Sequence, residues 1–146
     1  MKIAENCHVN GKLKLKILRN GKCIEVFEDH NLIVQKAKET MAHLIGGDTE
    51  SKMIAKVAFG TSGIEPDPSN TSITDAYVKK IDSVSYPQSG QVTFHFSLGS
   101  GEANGKKILE FGLLCDNGDL FARRIRSAVL NKASDITITG EWTISF

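Results

Sequence analysis

The first part of the chain alternates between apolar and polar residues, a pattern typical of a half-buried β-strand. Over residues 12–17, three lysines occupy one face and three aliphatic side chains the other. The Asn20-Gly21 pair favours a tight hairpin turn, after which residues 23–27 return antiparallel. The apolar face consists of Leu13, Leu15 and Ile17, and the polar face of Lys12, Lys14 and Lys16.

Between residues 31 and 47 the spacing of apolar residues changes from that of a strand to that of a helix. The apolar positions are Ile33, Ala37, Met41 and Leu44. We therefore predict one amphipathic helix over about residues 32–45. Asn31 is its predicted N-cap, and Gly46-Gly47 is its predicted C-terminal stop.

Alternating segments continue to residue 146 and predict a further series of strands. Residues 76–86 are extended, but their apolar face changes phase between Ile81 and Val84, which predicts a bulge and a bend or sheet crossover. In the segment 136–146, Trp142 and Phe146 belong to the inward row, and Gly140 indicates either a bend or space for a neighbouring ring. The other strand segments are residues 54–59, 91–98, 108–115 and 120–125.

These elements predict a mostly β fold, either an antiparallel β-sandwich or an open barrel, with the one helix packed on a sheet. A length of 146 residues fits one domain, which we expect to span residues 1–146. Within it, residues 1–30 form an N-terminal hairpin, and residues 31–146 supply the helix and the remaining sheets.

Charge and composition exclude several classes of protein. Eighteen basic and seventeen acidic side chains leave a net charge of +1, too small to draw the molecule onto nucleic acid or an anionic membrane. The chain has no apolar run of about 20 residues and no signal-peptide core, so we expect synthesis in a cytoplasm and no membrane insertion. Cys7, Cys23 and Cys115 are scattered, and we expect reduced structural thiols, with Cys23 and Cys115 packed in their strands as small apolar groups.

No sequence context identifies a nucleophile with its base, so we expect a protein that is not an enzyme. Asp116-Asn117-Gly118-Asp119 resembles part of a calcium loop but lacks the ligand spacing and the closing Glu. An Asn-Gly hairpin is the better interpretation. We predict no metal site and no cofactor.

Arg123, Arg124 and Arg126 form the densest positive cluster and are the best candidates for an interaction surface, because guanidinium groups pair well with carboxylates and phosphates. The alternative is that these arginines are solvated or paired with Asp116 and Asp119. His95 lies on the polar face of its strand and is a second candidate contact.

The order of several segments resembles small structural proteins of bacteriophage and prophage tails, of the tail fibre, baseplate or appendage type. The resemblance covers most of the chain from about residue 31, and residues 1–30 are less typical of it. It is carried by Asn31-Leu32-Ile33-Val34, Phe59-Gly60-Thr61-Ser62-Gly63, Asn104-Gly105, Ile108-Leu109-Glu110-Phe111-Gly112-Leu113, Gly118-Asp119-Leu120-Phe121-Ala122-Arg123, Lys132 and Ile136-Thr137-Ile138-Thr139-Gly140-Glu141-Trp142.

That resemblance implies an architectural role in the virion: a non-enzymatic protein, made in the bacterial host cytoplasm, that forms homo-oligomers and contacts other tail proteins. The alternative is a small β-sandwich module that binds carbohydrate through loops such as residues 60–70 and 99–105. Such modules often stack exposed aromatic side chains on sugar, and the inward position of Trp142 counts against that interpretation.

Overall fold

The computed structural model describes residues 8–146, so Cys7 lies outside the described range. These residues form nine strands and one helix. In chain order the elements are β1 Asn10–Arg19, β2 Lys22–Ile33, α1 Gln35–Ile45, β3 Ile54–Gly60, β4 Tyr77–Lys80, β5 Ser83–Ser85, β6 Gln91–Leu98, β7 Lys107–Cys115, β8 Leu120–Asn131 and β9 Ile136–Ser145.

All neighbouring strands are antiparallel, in the order β4-β3-β7-β8-β2-β1-β9-β6-β5. The sheet curls into an open barrel, which confirms a mostly β fold with one helix. Its two end strands, β4 and β5, are consecutive in the chain and are joined only by Ile81 and Asp82. The Ile81 N–H donates to Ala55 in one half of the barrel and the Asp82 N–H to His95 in the other. Of the outcomes predicted for residues 76–86, the sheet crossover is confirmed, whereas the bulge is not: two separate strands with regular registers lie there.

A second change of partner occurs in β2. Residues 22–31 of β2 pair with β1, whereas only Leu32 and Ile33 pair with β8. The N-terminal hairpin is thus part of the main sheet, because β1 also pairs with β9 over ten residues from Asn10 to Arg19.

The core lies between the inward faces of the two halves of the barrel. Trp142 is fully buried, and its indole N–H donates to Asn31 Oδ1 at 2.7 Å. Gly140 faces the Phe96 ring so closely that a methyl group there would overlap it. This confirms that the missing side chain makes room for an aromatic ring.

The helix begins later than its pattern suggested. Asn31 is not the N-cap, since it continues β2 and accepts the Trp142 hydrogen bond; Val34 takes the N-cap position with extended backbone. The stop is confirmed: Gly46 is the C-cap, and Gly47 follows with a φ of 91°.

Three other predictions were wrong in detail. β2 extends to Ile33 and β8 to Asn131, beyond their predicted ends. The predicted strands ended early because acidic side chains of β2 and the arginines paired with them break the apolar alternation. Cys23 is exposed, whereas Cys115 is buried. Phe146 lies at the end of the inward row but is 62% exposed.

Candidate functional site

Arg123 lies inside the protein and belongs to an internal ion pair. Its Nε donates to Glu110 Oε2 at 2.7 Å, and both side chains are almost completely buried. The same guanidinium donates to Asn70 Oδ1 at 3.2 Å. Arg123 therefore does not form the exposed surface that the sequence suggested.

This buried pair fastens the long loop after β3 to the sheet. Glu110 Oε1 accepts hydrogen bonds from the backbone N–H groups of Ser62 and Thr74, at 3.1 and 2.7 Å. Ile73 packs where Gly60 and Gly112 leave space on the sheet. The loop covers the outer face of β3 and β7. This cover explains how a carboxylate and a guanidinium can be buried outside the barrel.

The other two arginines bridge the gap where β2 and β8 separate. Arg124 donates to Asp29 and Arg126 to Glu25, each at 2.5 Å. Arg126 is 7% exposed and lies over the Phe27 ring at 5.7 Å. The carboxylate partners are thus in β2 and β7, and the proposed pairing with Asp116 and Asp119 was wrong; only Arg124 remains partly exposed.

His95 lies on the polar outer face of β6, as predicted. Its Nε2 is 2.7 Å from Ser85 Oγ, an arrangement that could activate a hydroxyl if a carboxylate oriented the ring. Glu141 Oε1 is 4.0 Å from His95 Nδ1, which is beyond hydrogen-bonding distance. We interpret Ser85 and His95 as a cross-strand hydrogen bond on a hydrated face.

The loop over residues 99–105 is also held in place. Glu102 accepts from Lys79 Nζ at 2.6 Å and from the Gly99 N–H at 2.8 Å, and the Lys79 bond lowers the pKa of Glu102. Lys132, 2% exposed, donates to Asn104 Oδ1 at 2.9 Å, and burial lowers the pKa of its amine. Neither loop proposed for carbohydrate binding is a loose surface segment.

Within residues 8–146, no group of three or more His, Cys, Asp or Glu side chains is placed to hold a metal ion. The Asp116 to Asp119 segment is the turn between β7 and β8, and the Gly118 N–H donates to the Cys115 carbonyl there. In the same described range, no helix has the length and apolar character needed to cross a membrane.

The most distinctive surface feature is an apolar cleft at the end of the barrel beside α1. It has a volume of about 380 Å³. Its walls come from α1, from the start of β3, from the segment around β5, and from the ends of β6, β8 and β9. The lining residues are Met41, Leu44, Met53, Ile54, Val84, Tyr86, Val92, Phe94, Phe121, Ile144 and Phe146.

The rim of this cleft exposes large apolar side chains to water. Tyr86 is 77% exposed, Met53 and Phe146 are 62% exposed, and Val84 is 46% exposed. The cleft lining contains no charged side chain among the described residues. Isolated apolar side chains on a surface are common, but a contiguous group around a cavity is a candidate contact site for a protein or ligand.

Sequence reasoning did not find this cleft. The change of phase between Ile81 and Val84 was the one indication of it in the sequence, because Val84 and Tyr86 are out of phase with the apolar row that ends at Ile81. The pattern alone does not show that the crossover brings them beside the end of β9 and the start of β3.

No family model, curated protein or solved structure matches this chain.

Proposed function

We propose that the protein is a non-enzymatic structural protein of a bacteriophage or prophage tail, and that the apolar cleft docks a neighbouring protein chain during assembly. The segments quoted above supply the tail resemblance, and the cleft supplies a surface for the contact. In this account the protein is made in the host cytoplasm, forms homo-oligomers and contacts other virion proteins.

The observation that carries the proposal is the exposed apolar rim. A small apolar ligand inside the cleft would leave Tyr86, Met53 and Phe146 largely in water. A protein surface laid across the rim would bury all three, with a gain of about 25 cal/mol for each Å² of apolar area removed from water. The rim therefore favours a protein partner over a small molecule.

The carbohydrate-binding alternative has less support. Trp142 is buried in the core, and both candidate loops are held by internal hydrogen bonds, the first through Ser62 and Asn70 and the second through Gly99. Tyr86 is an exposed aromatic ring, but its neighbours in the cleft are apolar, whereas sugar sites also need polar groups for the hydroxyls.

The test compares two variants with matched exposure. Tyr86→Asp places a charge on the rim, and Ile64→Asp places one on a loop position that is 76% exposed and does not line the cleft. We expect sedimentation velocity to show an oligomer for the wild type and for Ile64→Asp, and a monomer for Tyr86→Asp. An unchanged sedimentation coefficient for Tyr86→Asp would overturn the assignment of the cleft.

A further inference from the structure

A second cavity lies where α1 approaches the start of β1 and the end of β2. It has a volume of about 420 Å³. Met41 is the one described residue that lines both this cavity and the apolar cleft. We call it the β1–β2 cavity, and its lining differs from that of the cleft in chemistry as well as in position.

Nitrogen donors predominate among the polar side chains of the β1–β2 cavity. His8, His30 and Lys38 are basic, and Asn10 and Asn31 carry amide groups. Within residues 8–146, no carboxylate belongs to the lining. An ammonium group has donors only, and an imidazole or an amide offers at least one N–H. This combination suits a ligand that brings negative charge and several acceptor oxygens.

The carboxylates of β2 that lie close to the cavity in sequence already have partners. Glu28 forms an ion pair with Lys12, and Asp29 forms one with Arg124. These two acidic groups are therefore engaged on neighbouring strands and do not neutralise the basic lining.

The lysine that α1 contributes to the cavity keeps its charge uncompensated. Lys36 and Glu39 of the same helix pair with each other, with Nζ 2.9 Å from Oε2. Lys38 is exposed and forms no ion pair in the described part of the chain. Its ammonium group is thus available to an anion in the cavity.

A buried donor without an acceptor belongs to a residue of the same lining. The Trp142 indole N–H donates to Asn31 Oδ1, and because an indole is a donor only, this bond fixes which end of the amide is the NH₂ group. Asn31 Nδ2 is buried and has no hydrogen-bond acceptor among the described residues. Buried N–H groups are nearly always paired. This one therefore points to an acceptor that residues 8–146 do not supply.

The remaining side chains of the lining are apolar. They are those of Val9, Leu32, Ile33 and Met41, and all four are partly buried. Apolar walls with a few well-placed polar groups are typical of sites for small organic ligands. An inorganic anion would use the donors and leave these walls in contact with water.

We infer that the β1–β2 cavity binds a small organic oxoanion. Its carboxylate or phosphate group accepts hydrogen bonds from Lys38, His30 and the Asn31 amide, and its apolar part lies against Leu32 and Met41. Charge-assisted hydrogen bonds of this kind are stronger than those between neutral groups. The site does not depend on the proposed docking role of the apolar cleft.

The experiment is an NMR titration of the ¹⁵N-labelled full chain with three probes that share one alkyl chain. Hexanoate and hexyl phosphate carry the two candidate anionic groups, and hexanol carries none. Trp142 is the single tryptophan of the chain, so its indole N–H gives one resonance. The side-chain amide of Asn31 is the second reporter. Lys38→Gln removes the charge and keeps a donor, and Lys107→Gln is the control at an exposed position that does not line the cavity.

We expect at least one of the two anions to shift the Asn31 amide and Trp142 indole resonances saturably, with no such effect of hexanol. The tighter of the two identifies the anionic group as carboxylate or phosphate. Lys38→Gln should weaken that binding by about tenfold or more, whereas Lys107→Gln should leave it unchanged. Circular dichroism checks that both variants fold.

Three results would overturn the inference. The first is a titration in which neither anion moves the Asn31 resonance. The second is an equal response to hexanol, which would show apolar binding without a role for the charge. The third is the same affinity in Lys38→Gln and Lys107→Gln, which would show that the anion binds elsewhere.

Discussion

Glu110 and Arg123 form a buried ion pair, with Arg123 Nε 2.7 Å from Glu110 Oε2, that fixes a sixteen-residue loop between β3 and β4 onto the sheet. The carboxylate binds the loop at both ends, through the N–H groups of Ser62 and Thr74. One residue pair thus joins two strands and a loop that lie far apart in the sequence. Arg123 is a structural residue for this reason and not part of a contact surface.

Glu110→Gln should destabilise the fold strongly. The amide keeps the size of the side chain but leaves the Arg123 guanidinium buried without its counter-charge, which costs about 3–5 kcal/mol. Urea unfolding followed by Trp142 fluorescence measures the change in the free energy of unfolding. Glu65→Gln, at an exposed position in the same loop, is the matched control and should change it by less than about 0.5 kcal/mol. Similar values for the two variants would contradict the structural role of Glu110.

Gly140→Ala should destabilise the barrel by overpacking. A methyl group at residue 140 would overlap the Phe96 ring and Leu15, and such insertions cost about 1–3 kcal/mol. Gly101→Ala is the control, because a methyl group there meets open space. Thermal unfolding of the double variant Gly140→Ala/Phe96→Leu tests the mechanism: the second change should recover part of the loss. Purely additive losses would show that the ring is not the cause.

The two cysteines in the described range should react at very different rates. Cys115 is 1% exposed, and burial raises the pKa of its thiol to about 11, so almost no thiolate is available at neutral pH. Cys23 is exposed. In a Cys7→Ser background, intact mass after brief treatment with a maleimide should show one label, and a second only in denaturant. Rapid double labelling of the folded protein would contradict the burial of Cys115.

Stability should depend on Glu102 in mild acid. The hydrogen bond from Lys79 lowers the folded-state pKa of Glu102 below 4.5, its value when unperturbed. The ionised form therefore stabilises the fold above that unperturbed value, and the contribution is lost as the pH falls through the lower folded-state value. The melting temperature of Glu102→Gln should lie below that of the wild type at neutral pH, and the difference should shrink in acid. A pH-independent difference would exclude this linkage.

The sequence predicts most elements because alternation and turn chemistry are local. Asn20-Gly21 has positive φ at both residues, and the phase change at residues 81–84 marks the real crossover. The arginines of β8 show the limit of this reasoning. Their carboxylate partners lie 13, 95 and 101 residues away in the chain, so no local pattern distinguishes an exposed cluster from one buried and two partly exposed ion pairs.

The cleft was not predictable for a related reason. Each of its walls is an ordinary apolar segment, and Val84 and Tyr86 resemble any other strand residues. They form a site only because the crossover and the ends of β6 and β9 meet beside α1. The resemblance to tail proteins suggested assembly, but it did not indicate which surface would mediate it.

The most direct test of assembly through exposed apolar surfaces is the molar mass of the wild-type protein by light scattering across a concentration series. We predict a defined multiple of the 15.9 kDa chain that persists on dilution, as expected for a closed assembly. A mass of one chain at every concentration would contradict self-assembly and would leave the apolar cleft without its proposed partner.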